Sequence, residues 1–339
     1  MNNLKIEYGV INRNVVDITD FALSNCVKNG IMYIPSGDIR RGELFNVDPL
    51  IYVLKNIYFT SGTSGTSGTT SGTSGTTSGT SGTTSISIFD HTKEILYDVN
   101  EGVFYMDTIP DFVNAIYPLV VHKRELVAIQ QNLKLYFGTF IDEYPEQLMT
   151  VTYLTGNEKV LEIGSNIGRN TLIIASILSK GTNGAKNFVT LESDPDYFSE
   201  LTQNINVNGF QGNVYLENSA LSSVPLIQQG WQTIQSDVLL DNYKQVNVIT
   251  LDQLKNKYNI AFDTLILDCE GSFYHILQQF PEILNGIKMI IMENDYNDAN
   301  QFNYVINTLR SKNFEVVYNE EGGWGACYPN FYQVWKLIN

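Results

Sequence analysis

The sequence predicts an α/β protein in which a mostly parallel sheet with helices on both faces fills the C-terminal half, preceded by a small β-rich module. Three observations predict this. From Lys159 onward, short apolar runs alternate with segments of helical period, the pattern of parallel strands joined by helical crossovers. The first run, Val160 to Ile163, passes straight into a glycine-bearing turn, Gly164 to Gly168, and then into an amphipathic segment. The last two runs, Phe314 to Tyr318 and Tyr332 to Leu337, have no helical segment between them, which predicts an antiparallel pair at the sheet's edge.

Residues 1–115 form the β-rich module. Asp17 or Thr19 is placed to cap a short helix through Phe21 to Val27, stopped by Gly30. Strands follow at Ile31 to Ile34, Glu94 to Val99 and Val103 to Met106. Two more strand-like runs, Leu50 to Phe59 and Ser85 to Phe89, flank residues 60–84, which contain only Ser, Gly and Thr. A tract without charge or large side chains cannot offset the entropy of ordering, so it reads as a disordered tip on an expanded β-hairpin. Ser36-Gly37-Asp38 beside Arg40-Arg41 reads as a solvated turn, and the module shows no catalytic constellation.

Residues 116–150 read as a helical linker or cap. The helical period runs from Tyr117 to Tyr144, with Leu126, Ile129, Leu133 and Tyr136 on one face that docks on the following domain. In that domain, residues 151–339, Val160 to Ile163 leads to a helix at Asn170 to Leu178, and Phe188 to Leu191 to one at Tyr197 to Val207. A strand at Val214 to Glu217 comes next. Thr264 to Leu267 is followed by a helix at Tyr274 to Leu284, and Met289 to Met292 by one at Phe302 to Leu309.

Composition bounds the function. The chain has 339 residues, enough for two cores, and with 43% hydrophobic and 12% aromatic residues it is globular. A net charge of -15 opposes nucleic acid and anionic membranes at long range, and the densest basic spots, Arg40-Arg41 and Lys123-Arg124, are isolated pairs. Cys26, Cys269 and Cys327 lack metal-binding or disulfide-framework spacing, which fits a reducing compartment. Met1 to Glu7 has no signal-peptide core, and no apolar run approaches the roughly 18 residues of a membrane helix. The expectation is a soluble, cytoplasmic protein.

Ligands of open α/β sheets bind at the carboxyl ends of the strands. There, Gly164 and Gly168 let backbone approach a ligand, and Glu162 can accept hydrogen bonds from an amino-acid ammonium. A dinucleotide fold would place a second glycine where Asn166 stands. Glu192 ends the next strand and can accept from both hydroxyls of a ribose, although a helix N-terminal charge is an equal reading of that residue alone. Asp268 and Glu270 end a buried strand, and Glu293 and Asn294 end the one after it. Asp268, Glu293 and Asn294 supply oxygens of the kind Mg²⁺ prefers, the alternative being strand-end caps. His275, four residues past Gly271, could face the same cleft as a base.

The run V-L-E-I-G-S-N-I-G at 160–168 is followed in order by L-E-S-D-P, Leu201 with Asn204 and Asn208, L-D-Q-L at 251–254, L-D-C-E-G and M-E-N. This series resembles the FkbM-type methyltransferases, whose pattern is D-V-G-A-N-I-G, E-P, L-x-x-N, L-D-x-L, D-V-E-G-x-E and a late E-x-H, from about Leu126 to Asn339. The resemblance implies the class I methyltransferase fold, binding of S-adenosylmethionine (SAM), and O-methylation of sugars, glycans or other small hydroxylated molecules. It implies that Glu162, Gly164, Ser165, Asn166 and Gly168 hold the methionine part, that Glu192 holds the ribose, and that Asn218, Ser219 and Ala220 lie near the adenine. On the acceptor side, Asp268 is the first candidate for base or metal ligand and His275 the second for base. Phe273 stands in place of the family's second Glu, Asn294 in place of its common His, and Ser193-Asp194-Pro195 lengthens the usual E-P. No N-P-P-Y or D-P-P-Y run is present to grip a flipped base, which disfavours a nucleic-acid substrate. The rival readings are a glycan- or protein-binding protein on a retained scaffold, and an NAD-dependent sugar oxidoreductase.

Overall fold

The computed structural model describes residues 4–47, 53–62, 84–91, 93–105, 118–182, 186–323 and 325–338. The chain forms two compact units, Met1–Val121 and His122–Asn339. The segment expected as a separate linker therefore belongs, from residue 122 onward, to the C-terminal unit.

The N-terminal unit holds two four-stranded antiparallel sheets. One is ordered β2 (Asn14–Asp17), β1 (Leu4–Val10), β5 (Asn56–Gly62), β6 (Thr84–Phe89); the other β3 (Val27–Lys28), β4 (Ile31–Ile34), β7 (Ile95–Asp98), β8 (Val103–Phe104). Helices α1 (Thr19–Asn25) and α2 (Asp38–Phe45) complete it. Ile6, Tyr8, Ile34, Ile57 and Ile95 are fully buried, and Phe59, Phe89, Tyr97 and Phe104 form a ring cluster with centroids 4.7 to 5.8 Å apart. β5 and β6 pair from Ile57 with Phe89 to Gly62 with Thr84, so the hairpin expected around the repeat is present. The disorder expected for residues 60–84 falls, beyond those strand ends, outside the described residues.

The C-terminal unit is built on a seven-stranded sheet ordered β11 (Tyr215–Glu217), β10 (Phe188–Leu191), β9 (Val160–Ile163), β17 (Thr264–Leu267), β18 (Met289–Glu293), β20 (Tyr332–Leu337), β19 (Phe314–Glu320). β9, β10 and β17 are buried at every residue and β18 at all but its last, as strands covered on both faces are. The helices are α3 (Pro118–Gln131), α4 (Tyr144–Tyr153), α5 (Arg169–Leu178), α6 (Pro195–Val207), α7 (Leu251–Tyr258), α8 (Phe273–Gln279) and α9 (Ala299–Ser311). This is the expected α/β, Rossmann-like architecture.

Three features stand out. The final pair is antiparallel and forms the sheet's edge, as expected, with β20 between β18 and β19. Burial sets their order: β20 carries the fully buried Val334 and Trp335, whereas all but the first residue of β19 is at least partly exposed. The helix expected to reach Tyr144 stops at Gln131. Asn208 and Asn204 accept hydrogen bonds from the N–H groups of Lys134 and Tyr136, both at 2.8 Å, which offers the backbone an alternative to helix. Leu126 and Ile129 are buried as expected, while Tyr136 is exposed. Third, residues between β11 and β17 form a parallel pair, β12 (Ala220–Leu221) with β16 (Val248–Ile249), and a small antiparallel sheet of β14 (Gln232–Gln235), β13 (Leu226–Gln229) and β15 (Lys244–Val246). Four glutamines in L-I-Q-Q-G-W-Q-T-I-Q obscure the alternation that would announce these strands.

Candidate functional site

A cavity of about 590 Å³ opens at the carboxyl ends of β9, β10, β17 and β18. Its wall includes Gly164, Asn166, Glu192, Ser219, Ala220, Asp268, His275 and Glu293 among the residues that the sequence singles out.

The turn after β9 is shaped by contact with the turn after β17. Gly164 has φ +88°, and a Cβ there would lie 1.7 Å from the carbonyl oxygen of Asp268. Only glycine lets the two turns meet. Asn166, with φ 49°, donates its N–H to Oε2 of Glu192 at 2.8 Å, while the N–H of Asp194 donates to Oε1 at 2.7 Å. Both oxygens of Glu192 are thus held by backbone donors, and burial still pushes its carboxyl up to about 7. Beyond Glu192 the wall continues through Ser219, Ala220 and Leu221 to the β13–β14 hairpin, where Gln228 accepts from the Ser193 hydroxyl at 2.7 Å. Trp231 at that hairpin's turn stacks on Tyr197 of α6, with ring centroids 5.3 Å apart and planes 1° from parallel.

The opposite end is built of acids. Carboxylate oxygens of Glu146, Asp268 and Glu293 lie within 4.8 Å of one another. Glu146 comes from the first turn of α4 and is buried, and Tyr332 opens β20 beside them. Burial, followed by Glu143, Glu146 and Glu270, raises the Asp268 carboxyl well above its usual range. Burial and then Asp268 push Glu293 up to about 12. Glu143 sits at φ 58°, clamped by the Arg169 guanidinium at 2.6 Å, and burial brings its carboxyl up to about 7 against that attraction. His275 stands on the exposed side of α8, its ring edge-on to Tyr274.

Other expected residues do not reach the wall. Glu162 is buried and accepts from the hydroxyls of Thr171 at 2.7 Å and Thr190 at 2.6 Å, tying β9 to α5 and β10. Ser165 is buried against the Leu191 carbonyl. Gly168 is a packing glycine, where a Cβ would lie 2.5 Å from Cδ1 of Leu201. Asn218 donates to the Glu192 carbonyl at 2.8 Å and so holds the turn after β10 from behind. Asn294 is fully buried, and its amide donates to the Asn330 carbonyl at 2.7 Å and to Oε1 of Gln333 at 3.0 Å. Its Oδ1 has no donor among the described residues. Phe273 packs in the core beneath α8. Glu143, Glu146, Trp231 and Tyr332 are the wall residues that the sequence does not single out. A pair of acids flanking Pro145 was the available signal for the first two, but acids at a helix start are ordinary.

Residues 162–316 match the family model described as the methyltransferase FkbM domain. The C-terminal part of the chain is an FkbM methyltransferase domain. No curated protein matches the chain. Among solved structures, an O-methyltransferase from Bacillus cereus in complex with SAH is 17% identical, with 67% of this chain and 96% of that chain covered and a TM-score of 0.36. A protein in the NADB-Rossmann superfamily from Streptococcus agalactiae is 14% identical, with 57% and 69% covered and a TM-score of 0.35.

The match gives the C-terminal part as a methyltransferase domain, of the SAM-dependent kind, and the cavity suits that cofactor. SAM carries two cationic centres, an ammonium and a sulfonium. The wall presents six carboxyl side chains, Glu143, Glu146, Glu192, Asp268, Glu270 and Glu293, and no lysine or arginine. Its volume lies in the usual range for small-molecule sites, about 300 to 1,000 Å³. No helix among the described residues is long and apolar enough to cross a membrane.

Proposed function

We propose that the FkbM domain transfers a methyl group to a hydroxyl of a sugar, glycan or other small molecule, and that neither nucleic acid nor membrane is its partner. The observation that carries this reading is Asp268, a carboxyl on the cavity wall at the end of a buried strand, inside the matched domain. SAM supplies an electrophilic methyl group on a sulfonium. Glu192 accepts from the ribose hydroxyls, the Gly164–Asn166 turn borders the methionine part, and Ser219 and Ala220 border the adenine. Glu162, Ser165, Gly168 and Asn218 support that turn from behind, through the contacts described above.

At the other end, Asp268 would take the proton of the acceptor hydroxyl as its oxygen bonds the methyl carbon and the carbon–sulfur bond breaks, its electron pair leaving with the sulfur as a neutral thioether. Burial, and after it the neighbouring carboxyls, favour the protonated form of Asp268. A cation beside it reverses that balance and leaves the carboxylate able to accept a proton. His275, at the cavity rim, is the second candidate for the base, and the acidic surface with net charge -15 disfavours a polyanionic acceptor.

The test is transfer of a labelled methyl group from SAM to a panel of sugars, glycans and nucleotides, with SAM and NAD binding measured by calorimetry. Label on a sugar or glycan oxygen is the expected result. NAD binding without SAM binding would overturn the cofactor assignment, and label only on nitrogen or on nucleic acid would overturn the acceptor class.

A further inference from the structure

Three independent elements deliver a carboxyl to one point of the cavity wall: Glu146 from the first turn of α4, Asp268 from the end of β17 and Glu293 from the last residue of β18. Their oxygens lie within 4.8 Å of one another, close enough to share one ion. Glu146 is 6% exposed, and its Oε2 accepts no hydrogen bond among the described residues. A carboxylate oxygen that is both buried and without a donor is costly, and native proteins rarely leave one so. Neither lysine nor arginine lines the cavity to neutralise the group.

Two chemistries resolve such a cluster, protons shared among the carboxyls or a hard cation bound by their oxygens. The cavity opens directly onto the three groups, so water and ions can reach them. Asn294, expected as a ligand from its place in the sequence, is turned by its amide nitrogen toward Asn330 and Gln333 and does not line the cavity onto which the three carboxyls open.

We propose that Glu146, Asp268 and Glu293 bind one divalent cation of the Mg²⁺ or Mn²⁺ kind, with its remaining coordination positions open to water or to an oxygen of the acceptor. The acceptor's part in this rests on the function proposed above, whereas the ion site itself does not. The assignment moves the third ligand from Asn294 to a helix outside the matched domain, since Glu146 precedes residue 162.

The probe is Mn²⁺, added to the full chain at about 0.15 M salt, where nonspecific attraction to surface acids is screened. Loss of the free-ion signal in electron paramagnetic resonance counts the bound ions. One bound Mn²⁺, displaced by Mg²⁺, is expected, and Glu146→Gln and Glu293→Gln should each weaken it by about tenfold or more, since even losses of supporting residues around metals reach that scale. No bound Mn²⁺ at millimolar concentration, or unchanged binding in both variants, overturns the site. If a variant does not fold by circular dichroism, anomalous diffraction from Mn²⁺-soaked wild-type crystals decides: a peak between the three carboxylates supports the site and a peak elsewhere sinks it. A chain that binds Mn²⁺ but not SAM keeps this inference and loses the proposed function, and the converse result does the opposite.

Discussion

The two ends of the cavity are both acidic, yet they are stabilised in opposite ways. At the end proposed for the ribose, Glu192 is ringed by donors that belong to the backbone: Asn166 and Asp194 each give an N–H, and Asn218 holds the turn that carries it. At the end proposed for the acceptor, Glu146, Asp268 and Glu293 face one another with neither lysine nor arginine among the described residues of the wall. The first end is complete before a ligand arrives. The second has a surplus of negative charge that only an incoming cation or bound protons can settle. A site can thus be preorganised where the cofactor must dock and left electrostatically unfinished where chemistry takes place.

The largest effect should come from the wall between the ends. Gly164→Val places a branched side chain at φ +88° and against the Asp268 carbonyl. SAM binding should be lost and the melting temperature of the C-terminal unit should fall by about 10 °C or more. A variant that melts like wild type and binds SAM would show that the two turns need not touch.

Next comes Asp268→Asn, which alters the acceptor end alone. Transfer should slow by roughly 10² or more while SAM affinity stays within a few-fold, the usual scale for loss of acid-base assistance. Steady-state rates beside calorimetry read both quantities. An equal loss of affinity would erase the division between the ends and move Asp268 to the cofactor side.

A smaller effect follows from pH. The Glu192 carboxyl lies up at about 7, so it takes up a proton as pH falls from 8 to 6. The neutral form is the poorer acceptor for ribose hydroxyls, and SAM affinity should drop by about 3- to 10-fold over that interval. Flat affinity would mean that the backbone donors keep Glu192 ionised throughout.

The smallest effect concerns Glu162, buried between two threonine hydroxyls behind the wall. Its folded value, up at about 7, exceeds the ordinary 4.5. Its contribution to stability is therefore fully present below about 4.5 and lost as pH rises through about 7. Glu162→Gln should raise the melting temperature by a few degrees at pH 8 and leave it unchanged near pH 4. SAM affinity should change by no more than about twofold. A large loss of affinity would bring Glu162 back to the ligand, as the resemblance implies.

The strands that build the site can be read from the sequence because each is a short, mostly apolar run that ends in an acid or a glycine turn. Val160 to Ile163, Phe188 to Leu191 and Thr264 to Leu267 occupy those bounds in the structure. Asp268 and Glu293 are conspicuous for the same reason, as charges at the ends of buried strands. Glu146 is not, because an acid in the first turn of a helix already has a local explanation, and only the packing of α4 beside β18 and β20 carries it to the other two. Glu162, Ser165 and Gly168 are conspicuous in sequence although the structure sets them behind the wall. A motif records which residues a turn requires, and supporting residues are required as much as those that touch a ligand. The β13–β15 sheet is hidden by its glutamines, and the placement of β20 depends on which of two late strands is the more apolar.

That placement has a consequence for how the protein is made. β19 leaves the ribosome before β20, yet it has no partner in the sheet until β20 slides between it and β18. The same late strand begins with Tyr332, which lines the acceptor end of the cavity. Nascent chains halted before residue 332 would carry the whole cofactor end with its backbone donors, but would lack both the seam that closes the sheet and the tyrosine beside the three carboxylates. In chain order β20 follows every strand it joins, so the wall beside the three carboxylates is complete only once β20 has entered between β18 and β19.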